Sequence, residues 1–403
     1  MRFTDFNFHP SLLEGIEASG YQTATPVQEQ VIPQIMAGKD IIASAQTGTG
    51  KTAAFLLPIV NHLITHKHDN QVSTLIIVPT RELAIQIGQH LEGLSYFTDI
   101  SSIAIYGGND GQNFVAEKKA LQTGADIIVC TPGRMIAHIH MNYVSFKGLQ
   151  FLVLDEADRM LDMGFQDDIN TILSQLPHKR QTLLFSATMP AKIRRLAQEI
   201  LENPAEISIA ISRPPEKIVQ RAYVIYEPQK LPLVIHILKT IPFKSALIFC
   251  SRKQNVKQLA RELHRARFKV AEIHSDLEQQ ERENVLQGFG SRRIPVLVAT
   301  DILSRGIDID TIDLVINYDV PNDGEDYVHR IGRTARAEAD GVALTLISER
   351  EQNKFAGIET LLGKPVEKVV VTEELGPTPA YQPRVRGGGH RSPNRHFRPN
   401  NRR

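Results

Sequence analysis

Short apolar runs alternate with segments of helical periodicity, and this alternation limits the folds that the chain can adopt. The runs DIIASA, STLIIVP, ADIIVC, FLVLDE and QTLLFSA are rich in Ile, Leu and Val, which is typical of buried strands. Between them lie segments such as RELAIQIGQHLEGL, in which apolar residues recur about every 3.6 positions. Strand and helix in alternation predict parallel sheets covered by helices.

One interruption divides this pattern into two halves. Residues 202–221 contain Pro204 and the pair Pro214-Pro215, and consecutive prolines end both helices and strand ladders. Strand-like runs then resume as SALIFCS, KVAEIHS, IPVLVATD, DLVINYD and GVALTLIS. We therefore predict an α/β fold with two parallel-sheet domains, at residues 1–208 and 218–372, joined by a short linker at 209–217.

The C-terminal residues differ in composition from both domains. Residues 373–403 have few large apolar side chains and many Pro, Gly, Asn and Arg, which predicts a disordered tail. Residues 384–403 contain seven Arg and no acidic residue, so the chain's total of +1 less these seven charges leaves −6 on residues 1–383. A basic tail on a mildly acidic body indicates an anionic polymer as partner.

Cysteine usage and hydropathy indicate the compartment. Cys130 and Cys250 are the two cysteines, and no CxxC or Cys/His cluster is present, which argues against a disulfide framework and a zinc site. No apolar run approaches the about 20 residues that a membrane span needs. The N-terminus MRFTDFNFHP lacks the apolar region of a signal peptide. We expect a soluble, cytoplasmic protein with no membrane partner.

A glycine-rich segment has the context of a phosphate-binding loop. Residues 45–52, AQTGTGKT, stand between the strand-like DIIAS and the helical AAFLLPIVNHL. A turn of this kind presents backbone N–H groups to an anion, and a helix N-terminus adds favourable partial charge. Lys51 would reach the outer phosphates of a nucleotide and Thr52 would ligate Mg²⁺. Ala45 replaces the first Gly of the strict pattern, and an ordinary Gly-rich turn is the alternative.

The segment FLVLDEAD, residues 151–158, delivers adjacent carboxylates to the end of a strand. Ligands bind at the carboxyl edge of open α/β sheets. Asp155 would hold Mg²⁺ through water, and Glu156 would orient or deprotonate the attacking water. Acidic residues are also common at helix N-termini, but the GKT loop upstream favours the catalytic interpretation.

Nine motifs occur in a characteristic order: AQTGTGKT (45–52), PTRELA (79–84), Gly107-Gly108, TPGR (131–134), DEAD (155–158), SAT (186–188), LIFCS (247–251), ATDILSRGIDI (299–309) and HRIGRTAR (329–336). With these motifs the chain resembles the DEAD-box ATP-dependent RNA helicases of superfamily 2 over roughly residues 1–350. The form HRIGRTAR and the Arg-rich tail make it most similar to the bacterial RhlE-type subgroup. The resemblance implies two RecA-like domains with one ATP and its Mg²⁺ between them.

The resemblance also implies a nucleotide site built from both halves. The segment GYQTATPVQ, residues 20–28, is similar to the family's adenine-recognition motif, with Thr25 and Gln28 as its chemical members and Ala24 in place of the usual Pro. Phe3 would stack on the base, with packing of the first helix as the alternative. Gly306 and Asp308 would approach the ribose and phosphates. The loop residues implied at the phosphates are Ala45, Gln46, Thr47, Gly48, Thr49, Gly50, Lys51 and Thr52.

Arginines of HRIGRTAR are implied to complete the catalytic group. Arg330, Arg333 and Arg336 would share one stripe if the segment were helical, and a solvated basic face is the alternative. In the family, the positions of Arg333 and Arg336 act across the cleft, where such charge accelerates phosphoryl transfer by ~10³–10⁵. The implied catalytic residues are Lys51, Asp155, Glu156, Arg333 and Arg336.

Four further residues are implied to couple the nucleotide to the RNA side. Ser186 and Thr188 would bond toward Asp158, with an ordinary strand ending as the alternative. His329 would touch the cleft and relay its state, and a capping or core role is its alternative.

A third group is implied to hold the RNA backbone. PTRELA, the glycine pair and TPGR combine turns with Arg or backbone N–H groups, which suit phosphate oxygens and carry no base information. Helix caps and surface charges are the alternative roles for these residues. In EIHSDLEQQER, Gln279 and Arg282 match the family's Q-x-x-R pattern, whereas Ser275 replaces the usual Gly. The implied RNA-binding residues are Pro79, Thr80, Arg81, Gly108, Thr131, Pro132, Gly133, Arg134, Gln279, Arg282 and Thr300.

These inferences together predict an enzyme that closes its cleft on ATP and single-stranded RNA, opens short duplexes locally, and reopens after hydrolysis. An ATP-gated RNA clamp or ribonucleoprotein remodeller without unwinding is the main alternative. A DNA-directed ATPase and a scaffold protein are weaker ones. We expect a monomer whose partners are RNA and ribonucleoprotein components.

Overall fold

The computed structural model describes residues 1–45, 49–66, 71–107, 112–208, 218–300, 312–322, 324–334, 341–371 and 373–383. Several predicted features lie outside these ranges: Gln46, Thr47, Gly48, Gly108, Gly306, Asp308, Arg336, the linker 209–217 and the Arg-rich residues 384–403.

The first domain alternates strands and helices after a short 3-10 helix at Phe3–Phe6. Strands β1 to β7 span Ile41–Ser44, Thr74–Ile77, Ser102–Ile105, Ile127–Cys130, Phe151–Leu154, Gln181–Ser186 and Ala205–Ser208. Helices α1 to α9 span Pro10–Ala18, Pro26–Met36, Lys51–Thr65, Arg81–Leu94, Gln112–Thr123, Pro132–Ile139, Ala157–Asp162, Gln166–Leu173 and Ala191–Ile200.

The second domain follows the same plan, with short 3-10 helices at Glu227–Gln229 and Glu373–Leu375. Strands β8 to β14 span Ile218–Val224, Ala246–Phe249, Val270–Ile273, Val296–Ala299, Leu314–Asn317, Gly341–Ile347 and Glu367–Lys368. Helices α10 to α14 span Lys230–Thr240, Lys253–Arg265, Gln279–Gly290, Gly324–Ile331 and Gln352–Leu362. Among these described helices, none combines the length and apolarity needed to cross a bilayer.

Two parallel sheets with the same strand order form the framework. In the described residues the orders are β3-β4-β2-β5-β6-β1-β7 and β10-β11-β9-β12-β13-β8-β14. Counted from the first strand of its own domain, the second order repeats the first. The structure confirms the predicted α/β class with two parallel-sheet domains. It also shows a shared topology that similar element order had only suggested.

Six central strands are almost entirely apolar, with Thr74 and Asn317 as the polar exceptions. Every residue of β2, β4, β5, β9, β11 and β12 is buried, as expected for strands covered by helices on both faces. The edge strands β3, β7 and β14 are partly exposed. The sequence pattern predicted ten of the described strands and missed β3, β7, β8 and β14, in which polar residues interrupt or replace the apolar run.

Residues 373–383 are ordered on the second domain, which corrects their assignment to the disordered tail. The Gln352 side chain donates to the Ala380 carbonyl at 2.9 Å and accepts from the Gln382 amide at 2.7 Å. The Tyr381 hydroxyl donates to Glu359 Oε2 at 2.6 Å, and the Lys368 ammonium lies 4.3 Å from the Tyr381 ring centroid. Composition missed this segment because one anchored ring and a few specific hydrogen bonds hold it.

A buried ion cluster ties α10 to the carboxyl edge of the second sheet. Lys230 is 1% exposed, and its ammonium lies 3.0 Å from Glu351 Oε2 and 3.4 Å from Asp319 Oδ1. Burial alone would lower the pKa of Lys230, but the carboxylates of Glu351 and Asp319 outweigh it and the pKa is raised. The lysine therefore stays charged inside the domain and compensates two largely buried acids.

We expect Lys230→Ala to lower the free energy of unfolding by about 3 kcal/mol, because removing one partner leaves buried carboxylates uncompensated. Urea denaturation followed by circular dichroism measures the change. The matched control is Lys257→Ala, which removes a 43% exposed side chain paired with Asp276 and should change the free energy by less than about 1 kcal/mol. Similar losses in the two variants would contradict the role assigned to the buried cluster.

Candidate active site

The carboxyl edge of the first sheet separates into two neighbouring halves. Strands β5, β6 and β1 lie side by side, and so do β3, β4 and β2. DEAD, SAT and the phosphate loop follow the first three strands, whereas Gly107, TPGR and PTRELA follow the other three. The chain order scatters these motifs, but the sheet brings the predicted nucleotide residues and the predicted RNA residues to adjacent places on one edge.

The described part of the phosphate loop is tightly built. Ala45 is buried and its amide donates to the Ser186 carbonyl at 3.1 Å. Gly50 has φ +88°, and a Cβ there would lie 2.5 Å from Gln28 Nε2. Only glycine fits this left-handed position against the Gln28 side chain without displacing it. Thr49 stands just before it, and helix α3 begins at the next residue, Lys51.

The Lys51 ammonium is buried and lacks a hydrogen-bond acceptor in the part of the chain that the structure describes. The residue is 5% exposed, and its Nζ has no hydrogen-bond partner among the described residues. A buried ammonium is strongly unfavourable unless it is compensated. The residue therefore fits a site that an anion such as a nucleotide phosphate completes.

Asp155 supplies the opposite charge in the same site. It is 3% exposed, and its Oδ1 accepts a hydrogen bond from the Glu156 amide at 2.9 Å. Burial raises the pKa of Asp155 from 3.8 to about 6, although the Lys51 charge opposes this rise. A buried carboxylate whose ionisation is disfavoured would be stabilised by a cation.

The acid groups suit a cation that arrives with a nucleotide. In the described ranges no group of three or more His, Cys, Asp and Glu side chains is arranged to hold a metal. Mg²⁺ is commonly bound by one or two protein groups together with phosphates and waters. Asp155 and the half-buried Thr52, at the start of α3, are the residues that could hold it here.

Glu156 adopts a strained backbone conformation. Its φ of 51° and ψ of 47° lie in the left-handed region, which costs about 1–2 kcal/mol for a residue with a side chain. Its Oε2 accepts a hydrogen bond from Arg159 at 2.9 Å, and Arg159 is 5% exposed. Arg159 is not among the predicted site residues; its position three residues after Glu156 was the available signal in the sequence.

Asp158, Ser186 and Thr188 form one hydrogen-bonded group. The amide and hydroxyl of Thr188 both donate to Asp158 Oδ2 at 2.9 Å. The Ser186 hydroxyl accepts from the Asp158 amide at 3.3 Å and donates to the Thr188 carbonyl at 2.7 Å. These hydrogen bonds join the start of α7 to the loop after β6.

The HRIGRTAR segment is not one continuous helix. Helix α13 ends at Ile331, and Arg333 lies in the turn that follows. Arg330 is 3% exposed; it donates to Asn317 Oδ1 at 3.2 Å and to the Asp319 carbonyl at 2.8 Å. Arg330 therefore faces the core, and the predicted stripe of Arg330 with Arg333 does not form. His329 and Arg333 are half-buried.

The adenine-recognition segment is bound to the phosphate loop. The Gln28 side chain donates to the Gly50 carbonyl at 3.1 Å and accepts from the Thr25 amide at 2.9 Å. Thr25 is also the N-cap of α2 and accepts from the Gln28 amide. These bonds use one amide proton and one lone pair of the Gln28 side chain, so one donor and one acceptor site remain for two-point recognition of adenine.

Phe3 packs in the N-terminal core. It is 3% exposed, and its ring centroid lies 5.9 Å from Tyr21 and 6.1 Å from Phe6. In the structure Phe3 therefore packs in the core, which was the alternative to stacking on the base.

Arg81 connects the two domains at the predicted RNA side. Its guanidinium carbon lies 4.7 Å from the Tyr106 ring centroid, and its NH2 lies 2.7 Å from Glu283 Oε1 on α12 of the second domain. Pro79 is buried, and Thr80 caps α4 by accepting from the Leu83 amide at 3.4 Å. Two residues of this motif therefore shape the turn that presents the arginine.

TPGR begins helix α6 and presents one arginine. Thr131 is the N-cap and Pro132 occupies the first turn, where its missing N–H is tolerated. Gly133 is exposed. The side chain of Arg134 is 18% exposed and is paired with Glu117 on α5, with its Nε 2.9 Å from Glu117 Oε2.

The second domain places its predicted RNA residues after neighbouring strands. Helix α12, after β10, begins at Gln279, and Thr300 directly follows β11. Arg282 on α12 donates to the Ser275 carbonyl at 3.2 Å. Because β10 and β11 pair in parallel, these residues gather at one end of the second sheet, as their counterparts do in the first.

Family models match most of the chain. The DEAD/DEAH box helicase model covers residues 25–196, and the helicase conserved C-terminal domain model covers residues 229–338. The chain is 42% identical over 359 residues to the ATP-dependent RNA helicase CshA of Listeria monocytogenes, covering 89% of this chain and 68% of that protein. It is 39% identical over 366 residues to RhpA of Helicobacter pylori, covering 91% and 73%.

Solved structures agree over nearly the whole chain. Dbp5 of S. cerevisiae bound to RNA and ADP BeF3 matches with a TM-score of 0.81 at 30% identity, over 92% of this chain and 95% of that one. Mss116p bound to ssRNA and AMP-PNP matches with 0.78 at 29% identity, over 93% and 80%. The two sheets are thus tandem RecA-like domains, and the chain belongs to the DEAD-box family of ATP-dependent RNA helicases. The relatives' names do not confirm the predicted RhlE-type subgroup.

Proposed function

We propose that this helicase closes its cleft when ATP and single-stranded RNA bind together, and that closure opens short RNA duplexes locally and non-processively. The observation that carries the proposal is the buried Lys51 ammonium, which has no hydrogen-bond partner among the described residues and interacts electrostatically with the buried Asp155. This pair lies on the sheet edge whose other half carries PTRELA and TPGR. A charged site that is incomplete without ATP thus adjoins the surface proposed for RNA.

Each residue of the nucleotide site has a separate proposed role. Lys51 binds the outer phosphates, while Thr52 and Asp155 hold Mg²⁺. The cation, when bound, neutralises charge on the phosphate oxygens. Glu156 orients and accepts a proton from the attacking water. Arg333 and Arg336 stabilise the charge that develops as the phosphoryl group transfers, so hydrolysis requires the closed cleft.

Two contacts support coupling between ATP binding and RNA binding: the hydrogen bond between Asp158 and Thr188 and the ion pair between Arg81 and Glu283. Asp158 is hydrogen-bonded to Thr188, which lies on the loop between β6 and α9. Arg81 reaches Glu283 of the second domain from the predicted RNA side. Each ligand therefore favours the same arrangement of the domains, which is the requirement for mutual enhancement of affinity.

The RNA groups are suited to backbone recognition. Arginines and helix N-termini contact phosphates and give little base specificity. We infer a monomer that acts in the cytoplasm on RNA of varied sequence and on ribonucleoprotein complexes.

Steady-state ATP hydrolysis with no nucleic acid, with single-stranded RNA and with DNA of the same sequence tests this function at one salt concentration. We expect RNA to raise the turnover rate at least about tenfold, as coupling of 1–3 kcal/mol allows, and DNA to raise it less than twofold. Equal stimulation by DNA, or none by either polymer, would reject the RNA-dependent cleft closure.

An ATP-gated RNA clamp is the second candidate. It is favoured by the Arg81–Glu283 ion pair, which joins the domains beside the RNA surface and would set residence time on RNA. Strand displacement from a short RNA duplex separates the two functions. Displacement that depends on ATP supports the helicase proposal, whereas RNA-stimulated hydrolysis without displacement supports the clamp.

A further inference from the structure

We propose that Glu117 is a positioning residue for RNA, which holds the Arg134 guanidinium in the orientation that meets a phosphate. The proposal rests on the proposed RNA contact of Arg134. Neither the motifs nor the spacing of the sequence identified Glu117, which lies between the glycine pair and TPGR. Its role becomes visible only in the contact between α5 and α6.

Helices α5 and α6 present two pairs of side chains to each other. Phe114 and Glu117 are three residues apart on α5, and Arg134 and His138 are four apart on α6, so each pair lies on one helix face. Glu117 Oε2 lies 2.9 Å from Arg134 Nε and 2.8 Å from Arg134 NH2. The guanidinium carbon also lies 5.0 Å from the Phe114 ring centroid.

The carboxylate of Glu117 is held in place by His138. It is 4% exposed, and its Oε2 lies 2.8 Å from Nε2 of the fully buried His138. The His138 ring stacks on Phe114 at 4.6 Å between centroids, and its Nδ1 is hydrogen-bonded to the Tyr143 hydroxyl. A chain of contacts therefore leads from Tyr143 through His138 and Glu117 to Arg134.

This arrangement lowers the conformational freedom that Arg134 would lose on binding RNA. A free arginine side chain loses rotamer entropy when it is immobilised. Glu117 and Phe114 impose that order before RNA arrives, and preorganisation of this kind raises affinity. Because the carboxylate also neutralises part of the arginine's charge, its contribution is orientation of the guanidinium rather than an increase in positive potential.

The test compares Glu117→Ala with Glu117→Gln in RNA-stimulated ATP hydrolysis. Glu117→Ala should raise the RNA concentration for half-maximal stimulation about tenfold, with unchanged turnover at saturating RNA and unchanged basal hydrolysis. Glu117→Gln keeps an acceptor for Arg134 and should stay within about threefold of the wild type. Glu92→Ala, which removes an exposed acid on α4, is the matched control and should have no effect.

A double-mutant cycle separates positioning from a general packing role. Glu117→Ala should have no further effect in an Arg134→Ala background, whereas a packing defect would add to the loss.

Tyr143→Phe removes one hydroxyl from the contact chain and should raise the half-maximal RNA concentration two- to threefold, even if Glu117→Ala does not fold. Additive effects, or an unchanged RNA requirement in both Glu117→Ala and Tyr143→Phe, would overturn the proposal. Absence of RNA stimulation in the wild type would instead reject the proposed function.

Discussion

Replacing Lys51 with methionine should reduce ATP affinity at least about 100-fold, because we propose that the buried ammonium binds the outer phosphates. It should also change how stability depends on pH. Lys51 lowers the pKa of Asp155, which burial raises to about 6. Without Lys51 this pKa rises further, and a carboxyl whose folded-state pKa is raised stabilises the fold below its unfolded pKa and loses that contribution as pH rises through the folded pKa.

The Lys51→Met variant should therefore be at least as stable as the wild type at pH 5, where Asp155 is largely protonated. It should become less stable than the wild type by pH 8, where an ionised carboxylate is left without its compensating ammonium. Thermal unfolding of the ligand-free proteins at the two pH values and binding of a fluorescent ATP analogue measure these effects. Lys257→Met, at an exposed position, should show neither change. ATP affinity within threefold of the wild type would contradict the assignment of Lys51.

Glu156→Gln should lower RNA-stimulated hydrolysis about 10²–10⁴-fold, the usual contribution of a general base, while ATP and RNA binding persist. The amide has the shape of the carboxylate and keeps an oxygen for the Arg159 hydrogen bond seen at 2.9 Å. The left-handed backbone at this position is therefore expected to survive, but the side chain can no longer accept a proton from water.

Single-turnover hydrolysis and fluorescence anisotropy of labelled RNA with ATP distinguish chemistry from binding in this variant. We expect a slowly hydrolysing complex that retains RNA longer than the wild type does. Glu92→Gln serves as the matched surface substitution. Parallel loss of ATP binding and hydrolysis in Glu156→Gln would assign Glu156 a structural role through Arg159, and turnover within tenfold of the wild type would remove it from the catalytic group.

The sequence predicted those elements whose signal is local. Six central strands are buried at every position, so their apolar runs are continuous and easily recognised. The GKT loop was identified because a strand, a glycine turn and a helix follow one another directly. Thr80 and Pro132 similarly belong to turns whose capping chemistry acts within a few residues.

The relative positions of the motifs and the burial of their side chains depend on tertiary contacts. The nucleotide motifs and the RNA motifs occupy separate halves of one edge only because the strands are ordered β3-β4-β2-β5-β6-β1-β7, and this order depends on helical crossovers. Phe3 was expected to stack on the base and Arg330 to share one stripe with Arg333 and Arg336, yet both Phe3 and Arg330 are buried in core contacts. Spacing along the chain does not report which face of an element the neighbouring elements cover.

The sequence by itself determined the two α/β domains, the family motifs and the strand–turn–helix context of the phosphate loop, since each depends on residues close together in the chain. Only the tertiary structure decided that Glu117 holds Arg134, that Arg159 holds Glu156 and that residues 373–383 belong to the second domain. The first and third of these depend on packing between separate elements. The pairing of Arg159 with Glu156 is near in sequence, but it requires the left-handed turn that β5 and α7 impose together.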